Sequence, residues 1–155
     1  MKIAVITISD RASRGTYEDQ SGPAIEKILR GYDSEIVVMR HIVPDGKENV
    51  LSALKQHIDA DWIITTGGTG PSPRDQTPEA TLAYCDRLTP GLAEYFRLKS
   101  LEQTPFAVFS RGVCGMKGTQ YIVNFPGSVS GAQFHAQLLA PLLRHGIDMA
   151  LGKGH

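Results

Sequence analysis

The sequence predicts an α/β fold: a single-domain three-layer sandwich, Rossmann-like, with a mostly parallel sheet and helices on both faces. Short apolar runs alternate with stretches of helical periodicity along the chain, the pattern of strand–helix units. Several of those runs end in small polar residues and glycines, as β-to-α connections do. The 155 residues contain no internal repeat, low-complexity tract or linker. That makes one domain, residues 1–155, large enough to bury a core.

Lys2 to Ser9 reads as a buried strand through Ile3, Val5, Ile6 and Ile8. It lacks a signal-peptide cleavage site and runs into Asp10-Arg11, so a core strand is expected instead. Asp10 to Asp19 is polar and reads as a loop. Ser21 as N-cap and Pro23 near the first turn start a helix with Ala24, Ile25, Ile28 and Leu29 on one face, ending at Gly31. Glu35 to Val43 is the second strand, closed by the turn Pro44-Asp45-Gly46. Asn49 to Ile58 is a helix, and Asp61 to Thr66 the third strand. Thr77 to Cys85 and Gly91 to Leu101 are helices separated by Thr89-Pro90-Gly91. Phe106 to Phe109 and Tyr121 to Phe125 are expected as short strands. Ser130 to Leu151 is one helical pattern, which Pro141 must kink or split. This order puts Ser9, Pro44-Asp45, Thr66 to Gly70, Ser110 and Pro126-Gly127 at the C-terminal ends of five strands. Open α/β sheets bind ligands at that edge.

Composition excludes several function classes. Net charge is zero, where a general nucleic-acid binder shows a basic excess. No run of about 18 apolar residues exists, so no membrane span is expected. Cys85 and Cys114 show no C-x-x-C spacing and read as reduced, buried small hydrophobes of a cytoplasmic protein. Histidines 41, 57, 135, 145 and 155 show no metal-site spacing, so no zinc site is expected.

The segment Asp61 to Ala80, DWIITTGGTGPSPRDQTPEA, carries the strongest functional signal. An apolar strand breaks into Gly67-Gly68-Thr69-Gly70, and a helix restarts at Thr77-Pro78-Glu79. Clustered glycines after a strand present backbone N–H groups to phosphate, and glycine lets a ligand approach closely. Thr66 and Thr69 add hydroxyls, and Asp75 a carboxylate for a hard cation. Gly68→Val is therefore expected to harm nucleotide binding far more than folding. The bland alternative is an ordinary turn. The Walker pattern fails because Pro71, not lysine, follows Gly70, and G-x-G-x-x-G fails because position 73 is Pro73. That failure counts against a nucleotide-binding oxidoreductase. Asp45, between Pro44 and Gly46, reads by itself as a turn residue.

Other motifs agree in order with this one. They are Thr7-Ile8-Ser9-Asp10-Arg11, Asp19-Gln20-Ser21-Gly22-Pro23, Pro44-Asp45, Ser110-Arg111 and Asn124-Phe125-Pro126-Gly127-Ser128. Together with TTGGTG, Arg74-Asp75 and Thr-Pro-Glu-Ala-Thr, they resemble the molybdopterin-binding fold of molybdenum cofactor biosynthesis. The resemblance covers nearly the whole chain. It points to the single-domain molybdopterin adenylyltransferases and the related B-type proteins. Val129 stands where the family often has proline, and Gly112 where alanine is common.

The resemblance implies adenylyl transfer, in which the terminal phosphate of molybdopterin attacks the α-phosphorus of ATP and pyrophosphate leaves. That nucleophile is already an anion, so the barriers are charge repulsion and alignment. Asp45 and Asp75 match required family aspartates and are expected to hold Mg2+ rather than abstract a proton. Thr66, Gly67, Gly68, Thr69, Gly70 and Glu79 are expected to bind the nucleotide. Ser9, Asp10, Ser110, Arg111, Pro126, Gly127 and Ser128 are expected to bind the pterin. Arg11, Arg74 and Lys117 are further cations for phosphate, each alone readable as a surface charge, and Asp19 is a weaker carboxylate candidate. The resemblance alone also implies a homotrimer and a molybdenum insertase partner. The alternative from a different class is a non-catalytic oligomeric member that binds pterin or nucleotide without turnover.

Overall fold

A computed structural model of the chain describes residues 1–153. Alternation along the strands decides the layering. In β1 (Lys2–Ile8), Ile3 and Val5 enter one core cluster, while Ala4, Ile6 and Ile8 enter another. In β3 (Trp62–Thr66), Trp62 and Ile64 part from Ile63 in the same way. In β6 (Gln120–Phe125), Tyr121, Val123 and Phe125 part from Ile122. Neighbouring side chains of a strand point to opposite faces, so a sheet covered on both sides needs apolar residues at nearly every position.

Helices α2 (Ser21–Tyr32), α5 (Pro90–Leu101) and α6 (Val129–Leu139) close the first cluster with Ile25, Leu29, Phe96, Ala136 and Leu139. Helices α3 (Lys47–Gln56) and α4 (Thr77–Tyr84) close the second with Val50, Leu54, Ala80 and Tyr84. Each fully buried Ile or Leu contributes roughly 1.5–3 kcal/mol. The expected three layers are what the chain forms.

With β2 (Val37–Val43), β4 (Arg87–Leu88) and β5 (Cys114–Lys117), the strand order is β2-β1-β3-β6-β5-β4. The first four are parallel; β5 runs antiparallel to β6 and β4 antiparallel to β5. The registers Thr7 with Thr66 and Thr66 with Phe125 align the strand ends. Ser9, Gly67 and Pro126 therefore leave the sheet at one edge.

Several expectations are corrected. Phe106 to Phe109 is not a strand but part of a 3-10 turn, Pro105–Phe109, capped by Thr104, whose hydroxyl oxygen accepts from the Phe106 N–H. Four apolar residues in a row carry no period that separates the two forms. The strands β4 and β5 were not expected. The residue Gly115 gives β5 little strand character; it is there because a side chain would press on Cys85 Sγ, 2.8 Å from a Cβ. Since β5 is antiparallel, its start lies at the same edge as the C-terminal ends of the parallel strands. Ser110 thus reaches the expected edge without a strand before it.

The loop after β1 contains a short helix, α1 (Asp10–Ser13), capped by Ser9. Helix α2 includes Ser21 and passes through Gly31 to Tyr32. Pro141 does split the last helix, into α6, a 3-10 turn at Ala140–Leu142 and α7 (Leu143–Ala150). No helix among the described residues is long and apolar enough to cross a membrane.

Candidate active site

The glycine loop begins where β3 ends. Gly67 and Gly68 have φ of 105° and 64°, a region that side chains resist. The Gly67 N–H donates to the Phe125 carbonyl at 3.2 Å. The Thr77 hydroxyl donates to the Gly67 carbonyl at 2.9 Å, and the Thr77 N–H to the Gly68 carbonyl at 3.1 Å. Thr77 thereby ties the loop to the start of α4. Among the described residues, nothing accepts from the N–H groups of Gly68, Thr69 and Gly70.

Three adjacent unspent amides beside a helix N-terminus favour an anion. They narrow the expected set. Gly67 has spent its N–H, and Thr66, fully buried, donates its hydroxyl to the Pro126 carbonyl at 2.7 Å. Both brace the nest rather than form it. A Cβ at Gly68 would collide with Thr77 Oγ1. Gly68→Val would therefore cost folding stability as well as the expected nucleotide binding.

On one side of the nest lies a polar cleft of about 350 Å³, bounded by Ile8 to Arg11, Asp45, Ser72, Arg74 and Asp75. The Asp10 N–H donates to Asp45 Oδ2 and the Asp45 N–H to Asp10 Oδ1, both at 3.1 Å. The Asp75 N–H donates to the Ser72 carbonyl at 2.9 Å, and the Ser72 N–H to Asp75 Oδ2 at 3.1 Å. Asp75 thus closes its own turn with one oxygen and Asp45 ties its loop to the start of α1 with one, while Oδ1 of each bonds nothing among the described residues. No group of three His, Cys, Asp or Glu able to hold a metal occurs among the described residues either. An all-oxygen pair suits Mg2+, which keeps waters and takes substrate phosphates alongside one or two carboxylates.

On the other side lies a pocket of about 480 Å³ between α5, the 3-10 turn 105–109 and α6. Its apolar wall includes Phe96, Phe106, Phe109 and Phe134, and its polar groups include Ser110, Asn124, Ser128 and His135. Ser110 Oγ accepts from the Gly112 N–H and Ser128 Oγ from the Gly131 N–H, both at 3.3 Å, which leaves each hydroxyl proton to donate. Buried Asn124 donates to the Thr65 and Thr81 hydroxyls at 2.9 Å and accepts from the Val113 N–H. The Thr81 hydroxyl donates to the Thr77 carbonyl, so a polar chain runs from the pocket to the nest. His135 packs between the Phe96 and Phe125 rings, with Nε2 2.8 Å from Ser100 Oγ. Burial pushes its imidazole down to about 4, so it is neutral at pH 7.

The expected pterin residues are divided between these places. Ser110, Pro126 and Ser128 line the apolar pocket, while Ser9 and Asp10 line the polar cleft. Gly127 packs against the nest, its Cβ position 3.2 Å from Gly67 Cα. Arg111 pairs with Glu79, so each of these two side chains already has a charged partner. That pairing holds the Glu79 carboxyl below its usual range. Arg11 lies 4.9 Å over the Tyr17 ring and Arg74 lines the cleft. Lys117 pairs with Asp86 at the opposite sheet edge, away from both sites. Asp19 accepts from the Thr7 hydroxyl and the Gly22 N–H and serves the start of α2.

Burial raises the thiols of Cys85 to about 11 and Cys114 to about 12, so neither is a nucleophile at pH 7. His41 and His57 approach to 3.3 Å; His155 lies outside the described residues. Asn124 and Thr77 stood in the quoted motifs without a site role, and the phenylalanine wall was missed by sequence reasoning. Asn124 had a signal: an amide inside an otherwise apolar strand, YIVNF.

A family model described as "Probable molybdopterin binding domain" matches residues 4–145. A molybdopterin adenylyltransferase of Helicobacter pylori strain J99 is 37% identical over 154 residues, covering 97% of this chain and 88% of the relative. A solved structure of MogA is 39% identical with a TM-score of 0.90, covering 97% of this chain and 99% of that one. The molybdopterin biosynthesis enzyme MoaB of Thermus thermophilus is 39% identical with a TM-score of 0.87, covering 98% of this chain and 97% of that one. The motifs, the fold and these likenesses agree, and the chain belongs to the molybdopterin-binding family of molybdenum cofactor biosynthesis proteins.

Proposed function

We propose that the chain, as one molybdopterin-binding domain over 1–155, adenylylates molybdopterin with Mg-ATP and releases pyrophosphate. One observation carries this reading: a single loop walls two unlike clefts, with Thr69 and Gly70 lining the apolar pocket and Ser72 and Asp75 the polar one, and its amides at Gly68, Thr69 and Gly70 have no acceptor among the described residues. The amides of Gly68, Thr69 and Gly70 hold nucleotide phosphate. The apolar pocket takes the flat pterin, with Ser110 and Ser128 donating to its polar edge. The polar cleft takes the triphosphate. A terminal phosphate oxygen of molybdopterin attacks the α-phosphorus of ATP, the new P–O bond forms, and the bond to the β-phosphate oxygen breaks. No proton abstraction is needed, so the carboxylates are not bases. Asp45 and Asp75 would hold Mg2+, which supplies charge neutralisation to the phosphates when bound.

A binding-only reading is favoured by one observation, that Asp45 and Asp75 each already accept a structural hydrogen bond, from the Asp10 and Ser72 N–H groups. Incubating the protein with molybdopterin and Mg-ATP and weighing the pterin products decides between them. A pterin heavier by one AMP is expected. Binding of both substrates without that product would leave only the second reading.

A homotrimer is part of the proposal, supported by the family and by exposed Leu98 of α5 and exposed Phe106, Val108 and Phe109 of the 3-10 turn 105–109. A cytoplasmic setting and a molybdenum insertase partner follow from the family alone.

A further inference from the structure

We propose that Arg111 is a positioning residue: with Glu79 it clamps the loop from Gly70 to Asp75 and so sets both the phosphate-binding amides and the Asp75 carboxylate. The inference rests on the adenylyl-transfer reading of the same site.

The loop has little else to hold it. Pro71, Ser72, Pro73 and Arg74 are exposed, so burial contributes little there. The bonds between Ser72 and Asp75 close the loop on itself without tying it to the body. Arg111 supplies the tie. Its backbone N–H donates to the Thr69 carbonyl at 2.9 Å. Nε donates to the Gly70 carbonyl at 2.8 Å and Nη2 to the Asp75 carbonyl at 2.5 Å. Nη1 donates to Glu79 Oε1, which draws the fork toward α4.

The anchor behind Arg111 is firm. Arg97 of α5 donates to the carbonyls of the residues on either side, Ser110 at 3.2 Å and Gly112 at 2.9 Å. The path runs from a core helix through Arg97 to Arg111 and then to the loop. A guanidinium has five N–H donors in a rigid plane, and this one spends four of them on two carbonyls and the two oxygens of a carboxylate. A ligand phosphate would have to displace those partners. Lysine cannot stand in, because a single ammonium has no planar fork to span three separated acceptors.

The variants are Arg111→Lys, Arg111→Ala and Glu79→Gln, each compared with wild type by amide hydrogen exchange of the ligand-free protein and by separate titrations with ATP and molybdopterin. Exchange of the hydrogen-bonded loop amides of Ser72, Arg74 and Asp75 should rise about tenfold or more in both Arg111 variants, as expected for loss of charge-assisted hydrogen bonds, while the central strands stay protected. ATP affinity should fall about tenfold, molybdopterin affinity should stay within about twofold, and Glu79→Gln should show the same pattern more weakly. Combining Arg111→Ala with Glu79→Gln should add little to Arg111→Ala alone, as for partners in one contact.

Unchanged exchange at the amides of Ser72, Arg74 and Asp75 in Arg111→Lys and Glu79→Gln would overturn the clamp, and so would additive effects. Loss of molybdopterin affinity with unchanged exchange would instead make Arg111 a direct ligand contact. If wild type forms no adenylylated pterin, the functional reading falls, while the exchange data still decide the clamp.

Discussion

The two clefts beside the glycine loop are built by opposite means. The polar cleft is made of strand ends and turns, and hydrogen bonds from backbone amides aim its carboxylates. The apolar pocket is made of packed helices, and its shape comes from phenylalanine rings and buried Asn124. Phosphates and a hard cation need oxygens and amides fixed in direction but open to water. A flat ring needs a slot whose walls exclude water. The loop between them serves both because its backbone is held from behind by the Phe125 carbonyl, Thr77 and Arg111.

The comparison breaks first, and most visibly, in turnover. Asp45→Asn and Asp75→Asn should each cut single-turnover rate about a thousandfold or more while pterin binding stays intact. Full activity in both would mean the carboxylates only shape turns.

Gly67→Ala tests the shared wall. Its φ of 105° resists a side chain, and the new Cβ would meet the Ile8 carbonyl. Unfolding by denaturant should show a loss of about 3–5 kcal/mol, from strain and overpacking together.

Acid should act on the apolar side through His135. Its folded-state value of about 4 lies below the ordinary 6.5. Between those values the unfolded chain binds a proton that the folded chain refuses. Its contribution to stability is therefore complete above about pH 6.5 and falls as pH drops toward 4. The total is roughly 3 kcal/mol. His57, also lowered by burial, acts in the same direction. Thermal midpoints between pH 7 and 4.5 should drop less in His135→Gln than in wild type.

The smallest effect should be the most selective. Phe134→Ala removes one aromatic wall of the pocket. Molybdopterin affinity should fall about fivefold to tenfold, the worth of one aromatic contact. ATP affinity, measured in parallel, should not move.

Local pattern was enough for β1, β3 and β6, because strands buried on both faces are apolar at every step and stand out from their surroundings. Thr66 to Gly70 was legible for a similar reason: a glycine cluster after a strand records its own backbone demands. The split at Pro141 was legible because proline's effect is local. By contrast, β5 and the 3-10 turn 105–109 were not. Four residues carry no period, and Gly115 is dictated by Cys85, thirty positions away in the chain. Arg111, Glu79 and Thr66 were placed at the right edge, but their partners within the chain were not foreseen. Their donors and acceptors are consumed by Gly70, Asp75 and Pro126, and no sequence spacing reports such a meeting. The separation of Ser9 and Asp10 from Ser110 and Ser128 into two clefts has the same origin. Which chemistry gathers at the sheet edge was thus written in the chain, since strands and their ends follow from local hydrophobic pattern. Which of those groups remain available to a ligand was settled only by folding, because availability depends on the hydrogen bonds that distant residues have already taken.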